Sequence, residues 1–100
     1  MNYHSYFALA WVHLFTGRYE DAVNYSTLAI EVNPGFSLLH ASLVASYSNL
    51  GRPDDARAAA ARLLEVAPNW TISEFVRMAV VRPQLMEGLA SALRKAGLPE

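Results

Sequence analysis

The chain has 100 residues and no cysteine, 53% of it is hydrophobic against 17% charged, and its net charge is −1. Such a composition argues against intrinsic disorder and excludes a disulfide framework and a thiolate metal site. The charge balance argues against a nucleic-acid binder, which needs a basic excess to displace counterions.

The first predicted helix covers Asn2–Thr16 and lies within a charge-free run, Met1 to Gly17. Asn2, His4, Ser5, His13 and Thr16 interrupt that run, so it is no membrane span. It also lacks the basic start and small-residue cleavage site of a secretory signal. A cytoplasmic chain with no membrane partner is the expectation. Gly17 supplies the left-handed backbone that ends a helix at low cost. A second helix runs over Tyr19–Val32, with Glu20 and Asp21 in the first turn, where they favour the positive end of the helix dipole. Asn33-Pro34-Gly35 stops it.

The third predicted helix is Ser37–Leu50, closed by Gly51. The fourth starts at Pro53, which suits a first helical turn, carries Asp54 and Asp55 there, and ends near Val66 before Ala67-Pro68-Asn69. Thr71 and Glu74 have capping-box spacing and open a fifth helix reaching about Val81. The sixth runs from about Pro83 to Ala96, with Arg94 and Lys95 in its last turn and Gly97 to cap it. No stretch alternates with period two for long enough to make a sheet. The fold class expected is all-α.

A shift of 34 residues superimposes the first two helix pairs. It places Leu9 on Leu43, Gly17 on Gly51, Arg18 on Arg52, Asp21 on Asp55, Ala22 on Ala56, Glu31 on Glu65, Val32 on Val66 and Pro34 on Pro68. Phe36 falls on Trp70 and Ser37 on Thr71. Arg82-Pro83 repeats Arg52-Pro53 after only 30 residues, so the third unit has lost about one helical turn. Ala22 and Ala56 let the helices of a pair approach closely. Tyr6, Phe7, Trp11, Phe15, Tyr19, Tyr25 and Tyr47 fill the space between pairs. One pair alone cannot bury both its faces, so the units must stack.

With Leu9, Gly17, Tyr19, Ala22, Ala29 and Pro34 in one unit and Leu43, Tyr47, Gly51, Ala56 and Pro68 in the next, the chain resembles the tetratricopeptide repeat family. Tyr6 and His40 stand where the family often has Trp, Ala10 and Val44 replace its small Gly, and Pro53 replaces an aromatic. The resemblance implies a right-handed α-solenoid of three antiparallel helix pairs in a single domain over 1–100. Repeat one spans about 3–36, repeat two about 37–70, and a degenerate or capping pair 71–97. The closing run Leu93–Glu100 resembles the C-termini of bacterial class III adenylate/guanylate cyclases and of winged-helix regulators that carry such repeats. On that likeness the chain is expected to be a C-terminal regulatory or scaffolding fragment of a larger bacterial protein.

The resemblance also implies the partner class. Such arrays bind an extended peptide or a helix on the concave surface, lined by the first helix of each pair. By that register Phe7, Trp11, Leu14 and Phe15 face the groove in unit one, and Ala41, Ala45, Ser48 and Asn49 in unit two. The surface is apolar, without the basic clamp of chaperone-binding members, so an apolar protein or peptide partner is expected. Two other states stay open for the same face: burial by upstream repeats, or homodimerisation through the aromatic N-terminal helix. A regulatory tail of a nucleotide cyclase is a further alternative.

Nothing catalytic is expected. His4 and His13 lie on opposite faces of one helix and cannot share a metal, so no metal or cofactor site is read. His13 is read as a packing residue at the pair interface. The serines lie in no nucleophile-elbow pattern, and there is no Gly-rich phosphate loop. Arg57, Arg62, Arg77 and Arg82 make a modest basic face for an acidic partner, or simply a solvated surface. A pI near 6.3 argues against RNA-reading repeats of similar period.

Overall fold

The computed structural model describes residues 3–78 and 83–100. Six helices follow in order: α1 Tyr3–Phe15, α2 Tyr19–Val32, α3 Ser37–Asn49, α4 Pro53–Val66, α5 Ile72–Met78 and α6 Pro83–Lys95. They form an all-helical α-solenoid of helix pairs, with no strand among the described residues. The predicted start of the first helix at Asn2, the end of the fifth at Val81, and Arg82 lie outside the described residues.

The glycines end helices as the sequence reading requires. Gly17 and Gly51 have φ of 81° and 73°. At each, the two following orphan carbonyls are recovered in the same way: Gly17 N–H reaches Leu14 O and Arg18 N–H reaches His13 O, while Gly51 N–H reaches Ser48 O and Arg52 N–H reaches Tyr47 O. This is the Schellman closure, which a left-handed residue makes possible. The loops after α2 and α4 are copies as well. Asn33 (φ −140°, ψ 79°) donates to Ala29 O, and Ala67 (φ −137°, ψ 82°) donates to Leu63 O. The 34-residue step is therefore present in the backbone angles, not only in the letters.

At the start of α4, Arg52 pairs with Asp55 at 2.7 Å and its guanidinium lies 4.8 Å from the centre of the Tyr47 ring. At the start of α5, Glu74 N–H donates to Thr71 Oγ1 at 3.2 Å. The capping box is only half used, because the Glu74 carboxylate pairs with Arg77 instead.

Packing follows the small residues. Ala10, Ala22 and Ala29 are fully buried, and Ala56 nearly so, which lets paired helices close on one another. Between α2 and α3 the contact is partly polar: Ser26 and Ser42 hydroxyls meet at 2.7 Å with neither residue exposed. His40 is buried too, and its Nε2–H donates to Pro34 O at 2.8 Å, tying α3 to the preceding loop. His13 packs on Tyr25 at 5.2 Å between ring centres, across the α1–α2 interface.

The third pair does not repeat the step of the first two. Among the described residues, α6 packs on α3 more extensively than on its own neighbour α5. The main core accordingly joins Ala41, Val44 and Ala45 of α3 to Met86, Leu89 and Leu93 of α6.

Candidate functional site

In α1, Phe7, Trp11 and Phe15 are spaced by four and form one stripe on the helix surface. That stripe makes one wall of an apolar groove of about 560 Å³. Phe36 and Leu38, at the start of α3, form a second wall. Trp70 and Phe75, on either side of the α5 start, form a third, and Leu89 of α6 closes it. The rings meet in two sets: Phe7 stacks on Phe36 at 5.4 Å, while Trp11 lies 5.7 Å from Phe15 and 6.2 Å from Phe75, and Trp70 lies 5.6 Å from Phe75.

The groove has little polar lining. Ser37 and Thr71 bring hydroxyls, and Glu74 is the one charged lining residue among those described. Its carboxylate is engaged by Arg77 at 3.2 Å. The Trp11 indole N–H is buried and has no acceptor among the described residues. An arrangement of this kind excludes water and offers dispersion and ring-edge contacts, so it suits bulky apolar side chains.

The residues singled out from the sequence separate into two groups. Phe7, Trp11 and Phe15 line the groove. Leu14 does not: it is buried in the core. Ala41 and Ala45 are fully buried, and the Ser48 hydroxyl is bonded to Ala92 O at 2.8 Å. The expectation that these α3 positions form an open surface is corrected: the two alanines lie in the core, and Ser48 is bonded to the main chain of α6. Asn49 is exposed at the end of α3, where its amide donates to Ala45 O at 2.9 Å. It borders a smaller cavity of about 170 Å³ between α1 and α6.

Phe36, Leu38, Trp70, Phe75 and Leu89 are groove residues that sequence reasoning missed. A signal existed for two of them. Phe36 and Trp70 stand 34 residues apart, just after the loop that ends each repeat, so the same step that aligns the helices brings a ring to the same place.

The basic face is largely neutralised locally. Arg57 pairs with Asp54 and Arg77 with Glu74, each within one turn. Arg94 bonds to Glu100, and that hydrogen bond holds the Glu100 carboxyl below the usual carboxylate range and raises the Arg94 guanidinium. Among the described residues no group of three His, Asp or Glu is placed to hold a metal ion. No helix among them is long and apolar enough to cross a membrane.

Comparison with known proteins gives one family. A tetratricopeptide repeat profile matches residues 14–73, and a second profile of the same repeat matches residues 3–24. No curated protein matches the sequence.

Proposed function

Because the chain belongs to the tetratricopeptide repeat family, whose members typically bind proteins or peptides, we propose that it is a non-catalytic, cytoplasmic protein-interaction module whose aromatic groove takes the apolar side chains of a bound protein segment. The observation that carries this is the groove itself, in which rings from α1, from Phe36 just before α3, and from Trp70 and Phe75 surround one cavity of about 560 Å³. Apolar anchors set deep in such a cavity supply most of the affinity, and the Ser37, Thr71 and Glu74 edge fixes register. The two repeats over 3–36 and 37–70, with the pair over 71–97, act as one domain in this reading.

The chain carries its own reporter. Its two tryptophans, Trp11 and Trp70, both line the groove. A panel of peptides with Leu, Phe or Trp anchors is expected to shift tryptophan emission saturably. Phe75→Ala is expected to weaken the best binder by at least tenfold, about 2 kcal/mol for a central anchor site. Saturable binding by no anchored peptide, or binding equally strong in Phe75→Ala, would reject the reading.

A second reading is a homodimer through α1, supported by Val12, which is 55% exposed on that helix. Light scattering decides it: a dimer mass that falls to monomer in Val12→Asp supports it, and a monomeric wild type rejects it. A regulatory or scaffolding role in a larger bacterial protein, with a nucleotide cyclase as one such parent, rests on the Leu93–Glu100 likeness. A parent gene encoding neither a cyclase nor a regulator would remove it.

A further inference from the structure

We propose that the aromatic groove takes a small quaternary ammonium compound, a free molecule whose permanently charged nitrogen is sheathed in alkyl groups. The proposal goes beyond the interaction-module reading and rests on it only in taking the groove to be open to a ligand.

The first observation is the density of π surface. Two sets of rings line one cavity: Phe7 with Phe36, and Trp11 with Phe15, Trp70 and Phe75. Apolar bulk alone is served as well by aliphatic side chains, yet among the described residues only Leu38 and Leu89 stand beside the rings. The planes of neighbouring rings are 11° to 34° apart. Their normals therefore run roughly together, and the negative faces add in that direction. A cation near several such faces is attracted by each of them, most strongly by tryptophan.

The second observation is charge. Among the described residues no Lys or Arg lines the groove, and its one charged member is the acidic Glu74. Arg77, outside the lining, donates to Glu74 Oε1 at 3.2 Å. Both side chains are largely exposed, and so open a pair is weak. The carboxylate therefore still draws a cation toward the rings. An anionic ligand would meet no counter-charge here, and the ring faces would repel it.

The third observation fixes the kind of cation. Side-chain acceptors in the lining are few: the Ser37 and Thr71 hydroxyls and the Glu74 carboxylate. Thr71 Oγ1 already accepts from the Glu74 N–H, and Glu74 Oε1 from Arg77. A protonated amine or a guanidinium would bring several N–H donors to a lining that cannot pair them, and a buried unpaired donor is costly. A quaternary ammonium has no N–H. Its alkyl groups fill apolar space as a hydrocarbon does, and they spread the charge, which lowers the cost of leaving water. The cavity of about 560 Å³ lies within the range of small-molecule sites.

The test compares butyrylcholine with its carbon isostere, 3,3-dimethylbutyl butanoate, which has the same shape without the charge. Each is titrated onto the full chain with tryptophan emission as the signal. Butyrylcholine is expected to bind saturably and about tenfold more tightly than the isostere, the scale of a cation–π contact away from water. Trp70→Leu keeps apolar bulk and removes a π face. It is expected to reduce that preference about threefold, with Trp11 left as the reporter. Glu74→Gln is expected to weaken butyrylcholine and leave the isostere unchanged.

Equal affinity for the two compounds would overturn the proposal, and that comparison needs no variant to fold. Absence of saturable butyrylcholine binding would overturn it too, as would an undiminished preference in a folded Trp70→Leu. A peptide bearing trimethyl-lysine that binds more tightly than butyrylcholine would place the charge on a modified protein and overturn the free-ligand assignment. In each of these cases, peptides with Leu, Phe or Trp anchors that still shift the emission would show that the interaction-module reading stands on its own.

Discussion

Ser26 on α2 and Ser42 on α3 share one hydrogen bond of 2.7 Å in a space closed to solvent, and Ser42 passes its own proton on to Leu39 O at 2.8 Å. The direction follows: Ser42 is already a donor, so Ser26 donates to it. The two alanine variants are therefore unequal. Ser26→Ala leaves Ser42 with its bond to Leu39 and is expected to cost about 0.5–1.5 kcal/mol. Ser42→Ala strands the buried Ser26 hydroxyl and is expected to cost about 1–3 kcal/mol. Urea unfolding of the two variants checks the order.

Glycines in this chain differ in what they do. Gly17 has φ of 81° and open space where a Cβ would go, so Gly17→Ala carries a purely conformational cost of roughly 1–2 kcal/mol. Gly35 has the same open space without a positive φ. Gly35→Ala is expected to stabilise by about 0.4–1 kcal/mol, because it restricts the unfolded chain. Opposite shifts of the thermal midpoint in the two variants are the expected result.

Ala22 is fully buried in the interface of the first helix pair. Ala22→Leu inserts a side chain where the packing leaves none, and is expected to cost about 1–3 kcal/mol. Its 34-residue counterpart, Ala56, is 1% exposed and is expected to respond alike. A large difference between the two in denaturant midpoint would show that the repeats are not packed equivalently.

Glu100 titrates below the ordinary carboxylate range because Arg94 donates to it, aided by the attraction between the two charges. The folded value lies under the unfolded one, so the small stabilisation from this pair is present above the unfolded carboxylate value. It is lost as the pH falls through the folded value. The side-chain carboxyl resonance of Glu100 is expected to move back up in pH in Arg94→Gln. About 1 M salt should do the same, since both groups are exposed.

Much of this architecture is legible in the letters, for identifiable reasons. Gly17, Gly51, Pro34 and Pro68 act on the backbone locally, so helix ends can be read from them without knowledge of the rest. The stripe Phe7–Trp11–Phe15 is local in the same sense, since spacing by four dictates a shared face. The covering of Ala41, Ala45 and Ser48 is not local. The apolar pattern of α6 says that it must bury a face and leaves open which neighbour receives it. A third pair stacked like the first two, and the pair seen here with α6 on α3, satisfy that pattern equally. Leu14 illustrates the same limit, for its helical position alone does not tell a groove lining from a core beneath it. The Ser26–Ser42 bond was hidden for another reason: serine is common on exposed faces, and only the meeting of two helices turns it into a buried pair.

The near-identical joint angles at Asn33 and Ala67 have an evolutionary consequence. A gene duplication that copied residues 37–70 in tandem would hand the extra unit the same bend on entry and on exit. The array could lengthen by whole units without any new loop having to arise, while the terminal pair would simply ride outward and settle on the newest copy of Ala41, Ala45 and Ser48.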